Sequence, residues 1–153
     1  MKLRTVFFGL VFYSYCWSAW AFNFSQYKHA DLDEILKQPR PQTGVTLVAP
    51  QKLMLDVSLI SYADDCDTGA LKTMMVMQGI PKETVDTLPI SKCIKVKTAQ
   101  GNSSTLYIQD QVAEYLPKEI PLGGVLRVFV DYIFIGSEGP GILLNEFQAP
   151  KKP

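Results

Sequence analysis

The clearest pattern in this 153-residue chain lies in residues 92–135, which read KCIKVKTAQGNSSTLYIQDQVAEYLPKEIPLGGVLRVFVDYIFI. Over residues 92–98, and again over residues 105–110, apolar side chains alternate with polar ones. Such alternation is typical of a strand with one buried face. Gly101 and Asn102 separate the two runs and readily adopt the positive φ that a tight hairpin needs. The pattern therefore predicts two antiparallel strands joined by a turn.

The same stretch continues into a short helix and a second hairpin. Asp110 is a typical N-cap, and Pro117 predicts the end of the helix that follows. Residues 125–135 alternate strongly enough to predict a long strand, and residues 142–147 are expected to form the strand that returns. The intervening segment, Gly136–Gly141, is rich in glycine and contains a proline, which predicts a flexible turn.

The upstream half predicts one more long strand and two helices. Residues 53–62 show the alternation of a half-buried strand, and Pro50 is expected to separate it from a shorter strand over residues 45–48. Acidic residues at the start of residues 31–37 favour a small helix there. Helical spacing predicts another helix within residues 67–79, where a strand is the alternative.

In chain order the main elements run strand, strand, strand, helix, strand, strand. That order resembles an OB-fold, a small five-stranded β-barrel with a helix between its third and fourth strands. The resemblance covers residues 53–147 and implies a mainly β protein with short helices. The chain departs from the pattern in the long connection over residues 63–91. An open α+β sheet or a β-sandwich is the alternative.

The N-terminus has the three-part layout of a secretory signal peptide. Lys2 and Arg4 provide a basic start, an apolar run follows over residues 6–17, and residues 19–21, AWA, place small side chains where a signal peptidase reads them. The run is too short for a comfortable membrane span, which needs roughly 20 apolar residues. We therefore expect residues 1–21 to be removed and the mature protein, without a transmembrane span, to be periplasmic or secreted. An uncleaved anchor helix is the alternative.

The remainder of the chain has the length of one domain. Residues 22–44 are expected to be an N-terminal segment with a short helix and a linker. Residues 45–148 are expected to form a single β-rich domain, and residues 149–153 a frayed tail.

Two cysteines, Cys66 and Cys93, remain once residues 1–21 are removed. An even pair in an exported chain predicts a disulfide bond. A zinc site would require more cysteine or histidine ligands, and His29 is the only histidine of the sequence. We therefore predict an intramolecular disulfide between Cys66 and Cys93 and no bound metal.

No combination of residues in the sequence specifies a reaction. The sequence contains no GxSxG nucleophile motif, no HExxH zinc motif and no phosphate-binding glycine loop. The formal charge is zero, with 15 basic and 15 acidic residues, which argues against a nucleic-acid partner. We therefore expect a protein that is not an enzyme and carries no cofactor.

Three neighbouring carboxylates, Asp64, Asp65 and Asp67, are the strongest candidate for a cation site. Ca²⁺ takes oxygen ligands of this kind, although the spacing is not that of an EF-hand loop. The alternative is that these residues cap a helix and keep a turn soluble.

The predicted strands also define a candidate binding face. Cations interleaved with aromatic side chains can recognise a protein, or an anionic, planar or sugar-like ligand. The residues expected to point outward together are Lys95, Lys97, Tyr107, Gln109, Arg127 and Phe129. The alternative is that the lysines serve only to keep an exposed sheet soluble and to prevent edge pairing.

These observations favour a non-enzymatic binding or adaptor module of the cell envelope that acts through a β-barrel face. Its partner is expected to be another envelope or secreted protein, with a small ligand or glycan as a second option. If the protein is a subunit of a larger secretion or surface assembly, the aromatic lead-in Phe22–Tyr27 is expected to act as a docking peptide. The alternative function is a secreted inhibitor or immunity protein, which would block an enzyme or toxin with a rigid loop such as residues 66–93 or 136–141.

Overall fold

The computed structural model describes residues 22–150; the predicted signal peptide and residues 151–153 of the predicted tail lie outside this range. The described chain is mainly β, as predicted, with one mixed six-stranded sheet and short helices. A 3-10 helix, Phe24–Gln26, comes first. The α-helices and strands that follow in chain order are β1 (Lys28–His29), α1 (Leu32–Leu36), β2 (Val45–Asp65), α2 (Gly69–Met77), α3 (Lys82–Thr87), β3 (Lys92–Lys97), β4 (Ser103–Ile108), α4 (Asp110–Glu119), β5 (Val125–Gly136) and β6 (Gly139–Gln148).

The longest strand, β2, connects the sheet because it pairs with three other strands. Residues 45–58 of β2 are antiparallel to β5, and residues 58–65 are antiparallel to β3. The short β1 lies parallel to β2 beside Leu53 and Met54. β3 and β4 form the predicted hairpin, β5 and β6 form the second hairpin, and β4 runs parallel to β6.

Pro50 does not separate two strands, contrary to the sequence-based expectation. β2 runs through it as one strand of 21 residues, and the register with β5 shifts between Leu47 and Gln51. Proline has no N–H to donate to a ladder, so it is tolerated where the pairing bulges. The local irregularity therefore absorbs the proline, and the strand continues on either side of it.

An apolar core fills one side of the sheet and explains the alternation in the sequence. The inward residues of the predicted strands are buried, including Leu55, Val96, Leu106 and Val128. Residues before β2 also contribute, because Leu32 on α1 packs into the same cluster. Burial of apolar side chains on this scale is the main force that holds such a sheet together.

The helix α4 extends beyond the end predicted for it. Pro117 lies inside α4, which continues to Glu119. Leu116 is fully buried in the core, and the Tyr62 hydroxyl donates a 3.0 Å hydrogen bond to the carbonyl of Ile120. These contacts hold the last turn of α4 despite the hydrogen bond that a proline removes from a helix.

A second apolar cluster lies where α2 and α3 pack on the sheet. Leu71, Met74 and Met75 of α2 and Val85 of α3 are buried in this cluster. Ile133 of β5 and Leu143 of β6 meet them from the sheet. The long connection between β2 and β3 is therefore a packed unit rather than a loose loop.

The hairpin between β5 and β6 is tighter than the flexible turn predicted over residues 136–141. Gly136 pairs with Gly139, so that only Ser137 and Glu138 connect the strands. Gly139 has a φ of +138°, a conformation that glycine adopts without strain.

Within residues 22–150, no helix has the length and apolar character needed to cross a membrane.

Candidate functional site

The predicted disulfide is confirmed and ties α2 to the sheet. Cys66 follows β2 and Cys93 lies on β3, with their Cα atoms 5.8 Å apart. A disulfide of this kind is compatible with an oxidising compartment. It also fixes the start of the α2–α3 unit against the β3–β4 hairpin.

A cleft opens between β4 and β6, which we call the β4–β6 cleft. The two parallel strands pair only at Tyr107 with Leu143 and at Ile108 with Leu144. Within the described residues, no pairing joins residues 103–106 of β4 to residues 139–142 of β6. A cavity of about 680 Å³ lies along this gap, which is within the roughly 300–1,000 Å³ typical of ligand sites.

Several elements supply the lining of the β4–β6 cleft, and they bring different chemistry. The apolar part includes Leu36, Val45, Phe134 and Pro140, and the hydroxyl groups come from Ser103, Ser104, Thr105 and Ser137. The charged residues are Arg40, Lys95, Asp67 and Glu138. Both cysteines of the disulfide also line the cavity. The cleft therefore combines an apolar surface with hydrogen-bonding groups and balanced charge.

Of the six residues predicted to form a binding face, Lys95 and Tyr107 line the β4–β6 cleft. Lys95 is exposed and lies opposite Thr105 in the β3–β4 register. Tyr107 is half-buried, with its ring centroid 6.5 Å from that of Phe134. The structure therefore places these two side chains at one cavity, as their shared face of the hairpin suggested.

The Tyr107 hydroxyl keeps its proton under ordinary conditions. Burial, together with the negative charge of Asp67, raises the pKa of Tyr107 above its usual value near 10. Burial in an apolar environment disfavours the charged phenolate. The cleft thus presents a neutral hydroxyl that can both donate and accept a hydrogen bond.

Arg127 points outward as predicted but is paired within the protein. Its Nε and Nη2 atoms donate to the two Asp56 carboxylate oxygens at 2.7 Å and 2.9 Å. The hydrogen bond from Arg127 is the main reason that the pKa of Asp56 is lowered, and His29, 3.5 Å from Asp56, lowers it further. Arg127 lies outside the lining of the β4–β6 cleft.

Phe129 was predicted to be an accessible outward residue, and this expectation is wrong. The side chain is 2% exposed because the aromatic lead-in covers it. The ring centroids of Phe24 and Tyr27 lie 4.7 Å and 5.5 Å from that of Phe129, and that of Phe22 lies 5.9 Å away. The segment expected to be free for docking to a partner therefore packs on the protein's own sheet.

The other two predicted face residues lie outside the cavity lining. Lys97 is exposed near the end of β3, where it pairs in register with Ser58 and Ser103. The Gln109 side chain donates a 2.9 Å hydrogen bond to Asn145. The six residues therefore do not form one continuous site.

The three neighbouring aspartates each interact with a group of the same chain. Asp64 accepts a hydrogen bond from the Asp65 N–H at 2.9 Å, and Asp67 accepts one from the Gly69 N–H at 2.8 Å. Lys92 Nζ lies 3.0 Å from Asp65. Across residues 22–150, no set of three or more carboxylate, histidine or cysteine side chains is arranged to hold a metal ion.

Sequence reasoning missed most of the cleft. Arg40, Phe134 and Glu138 are distant in sequence from the β3–β4 hairpin, yet they line the same cavity. The alternation within β4 and β6 does not indicate that the two strands separate. The one available signal was Pro140 between two glycines, because a proline interrupts ladder hydrogen bonding at its own position.

A second cavity, of about 850 Å³, lies on another surface of the protein. Residues 49–53 of β2, Met75 and Gln78 near α2, and Ile133 of β5 contribute to its lining. Gln78 donates a 3.2 Å hydrogen bond to the carbonyl of Ile133 beside it. None of the six predicted face residues belongs to this cavity.

Comparison of the chain with protein-family models, with curated proteins and with solved structures finds no significant match.

Proposed function

We propose that this chain is a non-enzymatic binding or adaptor module with an OB-fold-like barrel, and that it holds its partner in the β4–β6 cleft. We propose further that the protein acts in the periplasm or outside the cell. The partner is another envelope or secreted protein, with a small ligand or glycan as the alternative. The single observation that carries the proposal is the position of the cleft between the two strands that separate.

The strand pairings support an OB-fold-like arrangement. β2 pairs with β3, β3 with β4, β4 with β6, β6 with β5, and β5 returns to β2. Five strands connected in such a cycle are the connectivity of a small barrel, and α4 lies between the third and fourth of them. The short β1 is an addition at one edge.

The location of the cleft supports binding as its role. OB-folds bind ligands on the face of their second and third strands, next to the loops after the first and the fourth strand. Here the corresponding elements are β3, β4, the disulfide-tied connection after β2, and the hairpin tip after β5. Each of these four elements contributes a residue to the lining of the cavity; in the same order they are Lys95, Thr105, Asp67 and Glu138.

Two lysines on one strand allow a matched test of this site. Lys95 lines the cleft, whereas Lys97, on the same strand and also exposed, does not. The mature protein, with its disulfide intact, is immobilised and exposed to an extract of its native compartment, and retained proteins are quantified by mass spectrometry. We expect Lys95→Glu to reduce the amount of specifically retained partner at least tenfold. The substitution removes a contact at the centre of the interface and reverses the charge there.

Lys97→Glu makes the same change of charge outside the cleft. The amount of partner that it retains should lie within about twofold of the amount retained by the unchanged protein, since a charge at the rim of an interface contributes little. Equal retention by both variants and the unchanged protein would remove the β4–β6 cleft from the proposal.

Inhibition of an enzyme is a second candidate function, because the tip of the β5–β6 hairpin is short and is held by a backbone hydrogen bond. Ser137 donates a 3.1 Å backbone hydrogen bond to Gly44, and Glu138 projects beside it as an exposed side chain. A loop that is already held in one conformation loses little entropy on binding, which favours its use as a plug for an enzyme site. Assaying any captured enzyme with and without the protein distinguishes the two functions, because only an inhibitor would reduce its turnover.

A further inference from the structure

We infer that the occupant of the β4–β6 cleft is an extended segment of another polypeptide, which binds as an additional strand along the open edge of β4. The inference rests on the proposed function and specifies its ligand. It follows from the backbone of β4 and β6 as well as from the side chains that line the cavity.

The pairing between β4 and β6 shows which backbone groups face the gap. The Gln109 N–H donates to the Leu144 carbonyl at 3.2 Å, so both groups lie between the two strands. Ladder-facing groups alternate along a strand, so every second residue presents its N–H and C=O to the same edge. On β4 these residues are Ser103 and Thr105, and on β6 they are Pro140 and Ile142.

Pro140 explains why the protein leaves this edge open. Continuing the parallel register of Tyr107 with Leu143 would place Pro140 opposite Ser104. A proline has no N–H to donate and is found in sheets at edges or bulges. In this register Pro140 cannot donate to the Ser103 carbonyl, so β6 cannot extend a complete ladder along β4. Ser103 and Thr105 have no strand partner on that side within the described residues.

The open edge has the length and surroundings of a short strand site. Four residues of β4, residues 103–106, span about 13 Å at ~3.3 Å per residue. Successive side chains of an incoming strand point to opposite faces. Those on one face would approach Leu36, which packs against the main core. Those on the other face would pass Lys95 and Thr105 and approach Phe134 of the second cluster.

A polypeptide fits this combination better than the other ligand classes. Unpaired strand edges supply main-chain hydrogen bonds to an added strand, while pockets for alternate side chains supply specificity. The charged lining residues are two cations and two anions, Arg40, Lys95, Asp67 and Glu138, which suits a segment of low net charge rather than a polyanion.

The test uses a phage-displayed library of linear random heptapeptides, selected on the disulfide-bonded protein. Selected peptides are synthesised, and residue-resolved amide hydrogen exchange is measured by NMR with and without saturating peptide. We expect exchange at the Ser103 and Thr105 amides to slow at least tenfold, because these N–H groups gain strand partners. This measurement requires no substitution and so does not depend on the folding of a variant.

A pair of substitutions at one residue tests the backbone directly. Thr105→Pro removes the N–H that faces the gap and should weaken peptide binding at least tenfold. Thr105→Ala keeps that N–H and should bind within threefold of the unchanged protein. Equal binding by Thr105→Pro, or protection of amides away from β4, would overturn the inference.

Failure of the inference is distinguishable from failure of the proposed function. If no peptide is selected, but a glycan array gives a ligand whose binding Lys95→Glu abolishes, the cleft binds sugar and the strand mechanism is wrong. If the same β4 amides become protected only as protein concentration rises, the occupant is a second copy of this chain, and the inference is equally overturned. If peptides protect the β4 edge as expected, both proposals are supported.

Discussion

Phe134 lies directly against Gly141 on the neighbouring strand, and this contact leaves no room for a side chain. A Cβ atom placed on Gly141 would overlap several atoms of the Phe134 ring. Overfilling a packed site typically costs about 1–3 kcal/mol. We expect Gly141→Ala to lower the free energy of unfolding by that amount, measured by urea denaturation followed by far-UV circular dichroism.

Glu138 provides the control for this substitution, because it is exposed at the tip of the same hairpin. Glu138→Ala should change stability by no more than about 0.5 kcal/mol, as is usual for exposed positions. A Gly141→Ala protein as stable as the unchanged one would show that the Phe134 ring moves aside without cost. Since Phe134 also lines the β4–β6 cleft, such movement would be visible as a change in the cavity.

At the scale of elements, the disulfide determines how firmly the α2–α3 unit is held. The bond closes a loop across a sequence separation of 27 residues. In the chain-entropy model, closing a loop of this length contributes roughly 3–4 kcal/mol. We expect Cys66→Ser combined with Cys93→Ser to lower the free energy of unfolding by about that much, measured in urea.

The unchanged protein in excess reductant should match the double serine variant, because both lack the same bond. If the oxidised and reduced proteins unfold at the same urea concentration, the helices α2 and α3 are held by packing alone. The buried contacts of Leu71 and Val85 would then be sufficient for that purpose.

The strands were predictable to the extent that their signals are local. Alternation over residues 92–98 gave β3 within one residue, and the inward positions Ile94 and Val96 are fully buried. The end of α4 was not predictable in the same way, since tertiary burial of Leu116 overrides the effect of Pro117. Tertiary context of this kind commonly overrides local propensity.

The site was predictable only where its residues share one hairpin face. Lys95 and Tyr107 could be found from alternation, because both point outward from β3 and β4. The burial of Phe129 could not be found, since it depends on Phe24 and Tyr27 about a hundred positions earlier in the chain. The cleft itself depends on where two parallel strands cease to pair, and Pro140 is the one local signal of that position.

At the scale of the whole molecule, the core joins distant parts of the chain. Leu55 of β2 pairs with Val128 of β5, and Lys28 of β1 pairs with Leu53 of β2. Domains dominated by such non-local strand pairing fold in milliseconds to seconds, and small single domains usually unfold in one cooperative step. We expect refolding by denaturant dilution with the disulfide intact to show that timescale in a stopped-flow measurement.

If the protein unfolds in one cooperative step, the unfolding curves from far-UV and near-UV circular dichroism should coincide. Tyr107 contacts the second cluster and Tyr132 the main core, so the near-UV signal reports on both. Separate transitions from the two signals would mean that side-chain packing is lost before secondary structure, so that unfolding is not one cooperative step. Refolding in microseconds would contradict the rate expected from non-local strand pairing.

Because Cys66 and Cys93 both line the β4–β6 cleft, part of its wall is a covalent bond that is absent when the chain leaves the ribosome. A newly made chain with free thiols has the residues of the cleft but not the bond that fixes Asp67 and Ala70 against β3. The cleft is therefore complete only after the disulfide has formed, which follows synthesis of the chain. If the cleft binds an added strand as proposed, the protein would recognise that ligand only after oxidation, and would be protected from association with any strand-forming segment that it meets earlier.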